Sequence, residues 1–211
     1  MSTVCDAHTF LLTHLFVVAM LKKTLLFALP SILAFLGLSP AFTSESDPAA
    51  QASDVTPLQQ LFVAKEIKPD LERIGIIWKA GDNRDELMDK IKRAGASTGI
   101  KVFLAEADDM KDVAPRFREL TRDRKVQMIW VVQDDDLLTQ DMIQSFLVKS
   151  ATEALVPLLV PNSAWVDAGG TVALERADGS IKLVVNKKAI DAMALTVPAK
   201  YQEGVTYLAA N

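Results

Sequence analysis

The stretch MIWVVQDDDLLTQDM, residues 128–142, runs five apolar residues and a glutamine straight into Asp134, Asp135 and Asp136. Three adjacent carboxylates at the end of an apolar run can hold a metal ion, accept a phosphoryl group, pair with a cationic ligand, or cap a helix. A calcium loop of the EF-hand type spaces its acids around a hinge glycine, and that spacing is absent here. A phosphoacceptor aspartate of receiver type needs an acidic pair after the first strand and a lysine after a fifth. The first loop offers only Asp82, four residues past its strand. Phosphate cradles of the G-x-G-x-x-G or G-x-x-x-x-G-K-[ST] kind do not occur. A cationic ligand and a helix cap remain. Asp135 or Asp136 is expected to cap the following helix and favour its dipole, while a remaining acid faces a crevice.

The elements that must position these acids are legible from hydrophobic period. RIGIIW (residues 73–78), KVFLAE (101–106), VQMIWVV (126–132) and VPLLVP (156–161) are short apolar runs with polar borders and read as strands. Helical stripes lie between them: Leu87, Met88, Ile91 and Gly95; then Val113, Phe117 and Leu120; then Leu138, Met142, Phe146 and Ala151. Strands that are apolar throughout and alternate with amphipathic helices imply a parallel sheet buried on both faces. The expected fold class is therefore α/β, a three-layer, doubly wound, mostly parallel sheet in the order 2-1-3-4. A C-terminal hairpin is expected around Ala177-Asp178-Gly179-Ser180, followed by a short helix in KKAIDAMAL.

Ligands of an open parallel sheet gather outside the carboxyl ends of its strands. Three polar segments converge there: WKAGDNRDE (78–86), QDDDLLT (133–139) and PNSAWVDAGG (161–170). Polar residues also serve as ordinary helix caps, but three such loops on one edge, with Trp78 and Trp165 beside them, point to a ligand crevice.

Residues 1–41 read as a targeting segment. Lys22 and Lys23 precede an uncharged apolar run at residues 24–38, and Ser39-Pro40-Ala41 places small residues as a cleavage site requires. Met20 is the alternative initiator, since a basic lead normally begins within a few residues of the start. No cysteine stands at the cleavage point to carry a lipid. Cleavage after Ala41 removes Cys5, His8 and His14, the only cysteine and histidines of the chain. What remains has no disulfide, thiolate nucleophile, Ser-His-Asp triad, or zinc site built on Cys or His. The formal charge of −4 becomes −5, because Lys22, Lys23 and Asp6 leave with the segment. A mildly acidic chain without a basic stripe is not built for nucleic acid. Residues 42–56 read as a polar linker and 57–211 as a single domain.

The segments RIGIIWKAGDNRDELMDKIKRAGASTGIKV, VQMIWVVQDDDLLT, VPLLVPNSAWVDAGG and IKLVVNKKAIDAMALTVPAKY resemble, in order, parts of the substrate-binding proteins of ABC transporters. The branch they most resemble is associated with aromatic amino acids. Trp78-Lys79-Ala80-Gly81-Asp82 stands where that branch has a Tyr-Asn-Pro-Gly-Glu-like turn, and Val132-Gln133-Asp134-Asp135 where it has a Pro-Thr-Asp-Asn-like turn. Lys182 to Asn186 stands for its Lys-Val-Val-Ile-Asn-like terminal strand. The likeness covers residues 67–201. It implies one lobe of a type I periplasmic binding protein, where family members have two lobes that close on the ligand. Where the family's first loop carries a serine, this chain has Asp85.

The resemblance implies an exported, non-enzymatic, periplasmic protein that recognises a small solute, with an amino acid as one candidate. Asp134 or Asp135 would pair with a ligand amine, Trp78 or Trp165 would stack, and Asn162 or Ser163 would hydrogen-bond, with Asp82 at the rim. No cofactor or metal is implied. The implied partners are the solute, an ABC permease or membrane sensor, and a second copy or a second chain that supplies the other lobe. The alternative is an accessory or sensor protein that docks on a membrane receptor and binds no solute. A hydrolase using carboxylates alone ranks third, since nothing pairs them in sequence. N-terminal sequencing of exported material is predicted to read Phe42 as the first residue; an intact Met1 or Met20 on a cytoplasmic product contradicts the leader.

Overall fold

The computed structural model describes residues 55–81 and 84–209, all within one compact unit spanning residues 46–211. The leader, the linker up to residue 54, and Asp82 lie outside the described residues.

The chain begins with a helix, α1 (Pro57–Ile67), that the hydrophobic period does not mark. Its start is well specified. Thr56 accepts from the Gln59 N–H while the Gln59 side chain reaches back to the Thr56 N–H, and Pro57 occupies the first turn. The chain then alternates through β1 (Arg73–Lys79), α2 (Asp85–Thr98), β2 (Lys101–Ala107) and α3 (Met110–Arg118). A π turn (Glu119–Asp123) extends α3 before β3 (Met128–Trp130), α4 (Asp141–Ala154), β4 (Leu158–Val160) and α5 (Ser163–Asp167). The tail holds β5 (Val172–Ala177), β6 (Ser180–Asn186), α6 (Lys187–Ala192), a 3-10 turn (Ala199–Tyr201) and β7 (Thr206–Leu208).

The seven strands form one sheet in the order β2-β1-β3-β4-β5-β6-β7. The first five are mutually parallel, β6 turns back against β5, and β7 runs beside β6. The expected 2-1-3-4 order and the hairpin at Ala177-Asp178-Gly179-Ser180 are both present, with Asp178 and Gly179 at positive φ. Alternate strand residues enter two cores. Ile74, Ile76, Met128, Trp130, Leu159 and Val172 meet α1, α2 and α6 on one face. Ile77, Ile129, Val131, Leu158 and Ala173 meet α3, α4 and α5 on the other. Both faces are covered, which is why these strands are apolar throughout.

One helical stripe differs from its expectation. Leu138 lies in the turn before α4, and Met142 is 68% exposed. The buried stripe is Ile143, Leu147 and Ala151, because the helix starts at Asp141 and its phase is set from there. Among the described residues, no helix is long and apolar enough to cross a membrane.

Gly95 shows how closely α2 sits on the sheet. A Cβ there would lie 2.8 Å from the Ile100 carbonyl oxygen and 2.9 Å from Val102 Cγ2. Alanine normally gains about 1 kcal/mol over glycine inside a helix. Here the clash is with backbone, which cannot rotate away, so overpacking outweighs propensity. Gly95→Ala is predicted to lower stability in urea unfolding by about 1–3 kcal/mol. An unchanged or higher midpoint contradicts that packing.

Candidate functional site

The carboxyl ends of β1, β3, β4 and β5 share one edge, and the loops leaving them are tied together by carboxylates. Asp135 is the most deeply engaged, its side chain only 4% exposed. One oxygen accepts from the Leu137 and Leu138 N–H groups at 3.0 and 2.7 Å. The other accepts from the Lys79 N–H at 3.1 Å and lies 3.6 Å from the Arg84 guanidinium. Asp135 thus joins the end of β1, the start of α2 and the loop after β3. It caps the turn that leads into α4 rather than α4 itself, whose N-cap position is Gln140 with no side-chain capping bond.

Its neighbours differ sharply from it. Asp136 reaches outward, with a side chain 88% exposed, and accepts from Lys79 Nζ at 2.9 Å. That hydrogen bond, then the Lys79 charge, holds the Asp136 carboxyl below its ordinary pKa. Asp134 turns toward the β4 loop. One of its oxygens accepts from Trp165 Nε1 at 2.8 Å and the other from Asn162 Nδ2 at 2.9 Å. Three successive acids therefore take three directions, in a stretch that is neither strand nor helix. Among the described residues, no three Asp, Glu, Cys or His side chains come together as a metal site.

Asn162 acts twice, because its Oδ1 accepts from the Trp165 N–H and caps α5. The Ser163 N–H donates to Glu175 Oε1 at 2.8 Å, which brings the end of β5 into the cluster. Trp165 and Trp78 are 2% and 5% exposed, and neither offers an open ring face for stacking. Trp78 is covered by the Arg84 guanidinium at 5.1 Å, and its Nε1 reaches Glu106 at 3.4 Å. In this structure both indoles are walls and donors. The expected residues Asp134, Asn162, Ser163 and Trp165 are brought together, while Asp135 and Trp78 sit with Arg84 one loop away. Sequence reasoning missed Lys79, Arg84 and Glu175. The first two stand inside the quoted first loop, and Glu175 is hidden in an alternating strand.

The model of the ABC transporter substrate binding protein family matches residues 37–179, more than half of the chain. The chain belongs to this family. Among solved structures, the chain is similar to a Streptococcus pneumonia ABC domain in complex with L-Trp. The two share 17% identity with a TM-score of 0.61, over 72% of this chain and 61% of that one. It is similar also to a conserved domain protein from Vibrio cholerae, at 22% identity and a TM-score of 0.61 over 74% and 61%. A ligand-free, open substrate binding protein with adhesive properties from Clostridium difficile aligns at 16% identity and a TM-score of 0.60, over 72% and 59%. At these identities the likeness is one of fold. The chain spans about three fifths of the length of each of these structures. No curated protein matches it.

Asp135 and Asp136 have different consequences for stability. Asp135→Ala leaves three N–H donors without their acceptor and a buried guanidinium without this partner, a loss predicted to cost about 3 kcal/mol or more. Asp136→Ala is predicted to leave the unfolding midpoint in place, since its lysine is solvated. Equal midpoints for the two variants contradict the assignment of Asp135 as the buried tie.

Proposed function

We propose that this chain is an exported, non-catalytic solute-binding protein of ABC-transporter type, and that its solute presents an ammonium group to the strand-end edge. The observation that carries the reading is the Asp134 carboxylate. Asp134 is exposed at the end of β3, yet Trp165 and Asn162 each hold one of its oxygens. A carboxylate oxygen has two lone pairs, so each retains one for a ligand donor. Fixing the acid beforehand removes part of the entropy that a mobile side chain would lose on binding. Asn162 and Ser163 supply polar contacts beside it, Asp82 stands at the rim, and Asp135 with Trp78 and Arg84 forms the supporting wall.

Family membership and the L-Trp complex of the Streptococcus pneumonia neighbour support an amino acid as the solute, with delivery to an ABC permease. The leader at residues 1–41 supports a periplasmic location. The resemblance implies a ligand held between two lobes, and the described residues form one sheet and hence one lobe. We therefore expect either weak binding or completion of the site by a second copy or a second chain across this edge. Polar contacts made in open water contribute little net free energy. The expected affinity of the single lobe is high micromolar or weaker, about −5 kcal/mol.

Tryptophan fluorescence during titration with aromatic and aliphatic amino acids, with light scattering in parallel, tests this. Asp134→Asn is predicted to weaken binding about tenfold or more, since it removes a charge-assisted contact. Trp165→Phe, which removes the donor that holds Asp134, is predicted to weaken it by less. A strict monomer with nanomolar affinity overturns the single-lobe expectation, and full affinity in Asp134→Asn overturns the role of that acid.

A further inference from the structure

A second surface lies at the opposite edge of the sheet. α3 and α4 both run away from the carboxyl ends, so their last turns, with the π turn, meet at the amino ends of β3 and β4. Between them is an open groove of about 540 Å³. Its floor is apolar: Phe117 and Phe146 stand edge to face with centroids 6.1 Å apart, beside Val156. Arg118 and Arg122 line its rim, one helical step apart.

The charge here opposes that of the molecule. Residues 116–125 hold five bases and two acids, a local +3 in a chain of net −4. Glu119 pairs with Arg116 at 3.2 Å and with Arg124 at 3.4 Å, so its one carboxylate is shared between two of the five. Among the described residues, Arg118 and Arg122 make no such pair, and both are exposed at the groove. The π turn sets their direction. Arg124 N–H donates to the Glu119 carbonyl and Val126 N–H to the Leu120 carbonyl, so an extra residue is accommodated and Thr121 and Arg122 face the groove. Such π turns recur at functional positions because they cost regular helix bonding.

Leu155 adds an independent observation. It sits between Ala154 and Val156, both of which line the groove, at φ 52 in the left-handed region where glycine is favoured. Its side chain is nevertheless 62% exposed. This left-handed turn ends α4, with the Leu155 N–H on the Ala151 and Thr152 carbonyls, and leaves an apolar residue exposed beside the groove.

We propose that this groove docks an acidic, amphipathic segment of a partner protein, with carboxylates on Arg118 and Arg122 and an apolar side chain against Phe117 and Phe146. The apolar floor is out of reach of a small hydrated anion. An anionic membrane surface is the less suited occupant: Glu119 engages two of the five bases, which leaves fewer than the about four or more cations that such a surface calls for. The surface is separate from the strand-end site and stands whether or not a solute binds there.

The test uses the full chain and a synthetic helical peptide with two glutamates one turn apart beside a leucine and a phenylalanine, followed by fluorescence anisotropy. Saturable binding is expected, weakening as salt rises from about 0.05 to 0.3 M. Arg118→Gln with Arg122→Gln is expected to weaken it about five- to tenfold, as is exchange of the peptide glutamates for glutamine. Ser150→Trp, which fills the groove without changing charge, should also block the peptide. Because that variant risks misfolding, the arginine pair, exposed and dispensable for the core, decides the matter. Asp134→Asn should bind the peptide as the parent does. Equal binding of acidic and neutral peptides, or an unaffected arginine double variant, overturns the proposal. So does binding to phosphatidylglycerol vesicles with none to the peptide, which would make the surface a membrane contact.

Discussion

The strand-end edge depends on a buried carboxylate. Asp135 has a side chain only 4% exposed, a costly place for a charge unless it is paired and hydrogen-bonded. Both conditions are met: two N–H groups of the following turn and one from β1 donate to it, and Arg84 supplies the balancing charge. Because those donors come from different loops, the interaction fixes the loops relative to one another. Asp134 can then be aimed at the β4 loop and Asp136 at solvent. The sequence Asp-Asp-Asp is thus three separate devices, an exposed acid held by Trp165 and Asn162, a structural tie and a surface ion pair.

The fold was readable wherever burial imposed a period. The strands around Ile76, Trp130 and Leu159 were visible because parallel strands covered on both faces admit few polar residues, while β2 at the edge is only partly buried and was visible as a short apolar run. The hairpin was visible because Asp178 and Gly179 supply positive φ. α1 escaped because Leu58, Leu61, Phe62, Val63 and Ala64 surround it with apolar residues and leave no contrast between faces. Its capping box, Thr56 with Gln59, was the legible signal. Met142 misled because an apolar residue at helical spacing was counted as core, when the true phase runs through Ile143 and Leu147.

The site was readable as a set of loops and not as a set of contacts. Topology predicts that loops after β1, β3 and β4 share an edge, so Asp134, Asn162 and Trp165 could be grouped without coordinates. Which acid is buried could not be read, since three identical residues differ only in the direction each side chain takes. Likewise, an indole near a crevice suggests a stacking surface. Trp165 instead turns its ring into the core and offers only its N–H, which is held by Asp134.

The chain has three tryptophans, and in the structure they have three distinct environments: Trp78 under Arg84, Trp130 fully buried, and Trp165 bonded to Asp134. Their indole N–H signals in a nitrogen-proton correlation spectrum report separately on each. Titration with an amino acid that binds at the strand ends should shift the Trp165 indole signal, because an ammonium on Asp134 weakens the acceptor it faces. The Trp130 signal should stay in place, and Asp134→Asn should abolish the Trp165 shift. A solute that binds while the Trp165 signal stays still would contradict the account that Asp134 is the recognition acid.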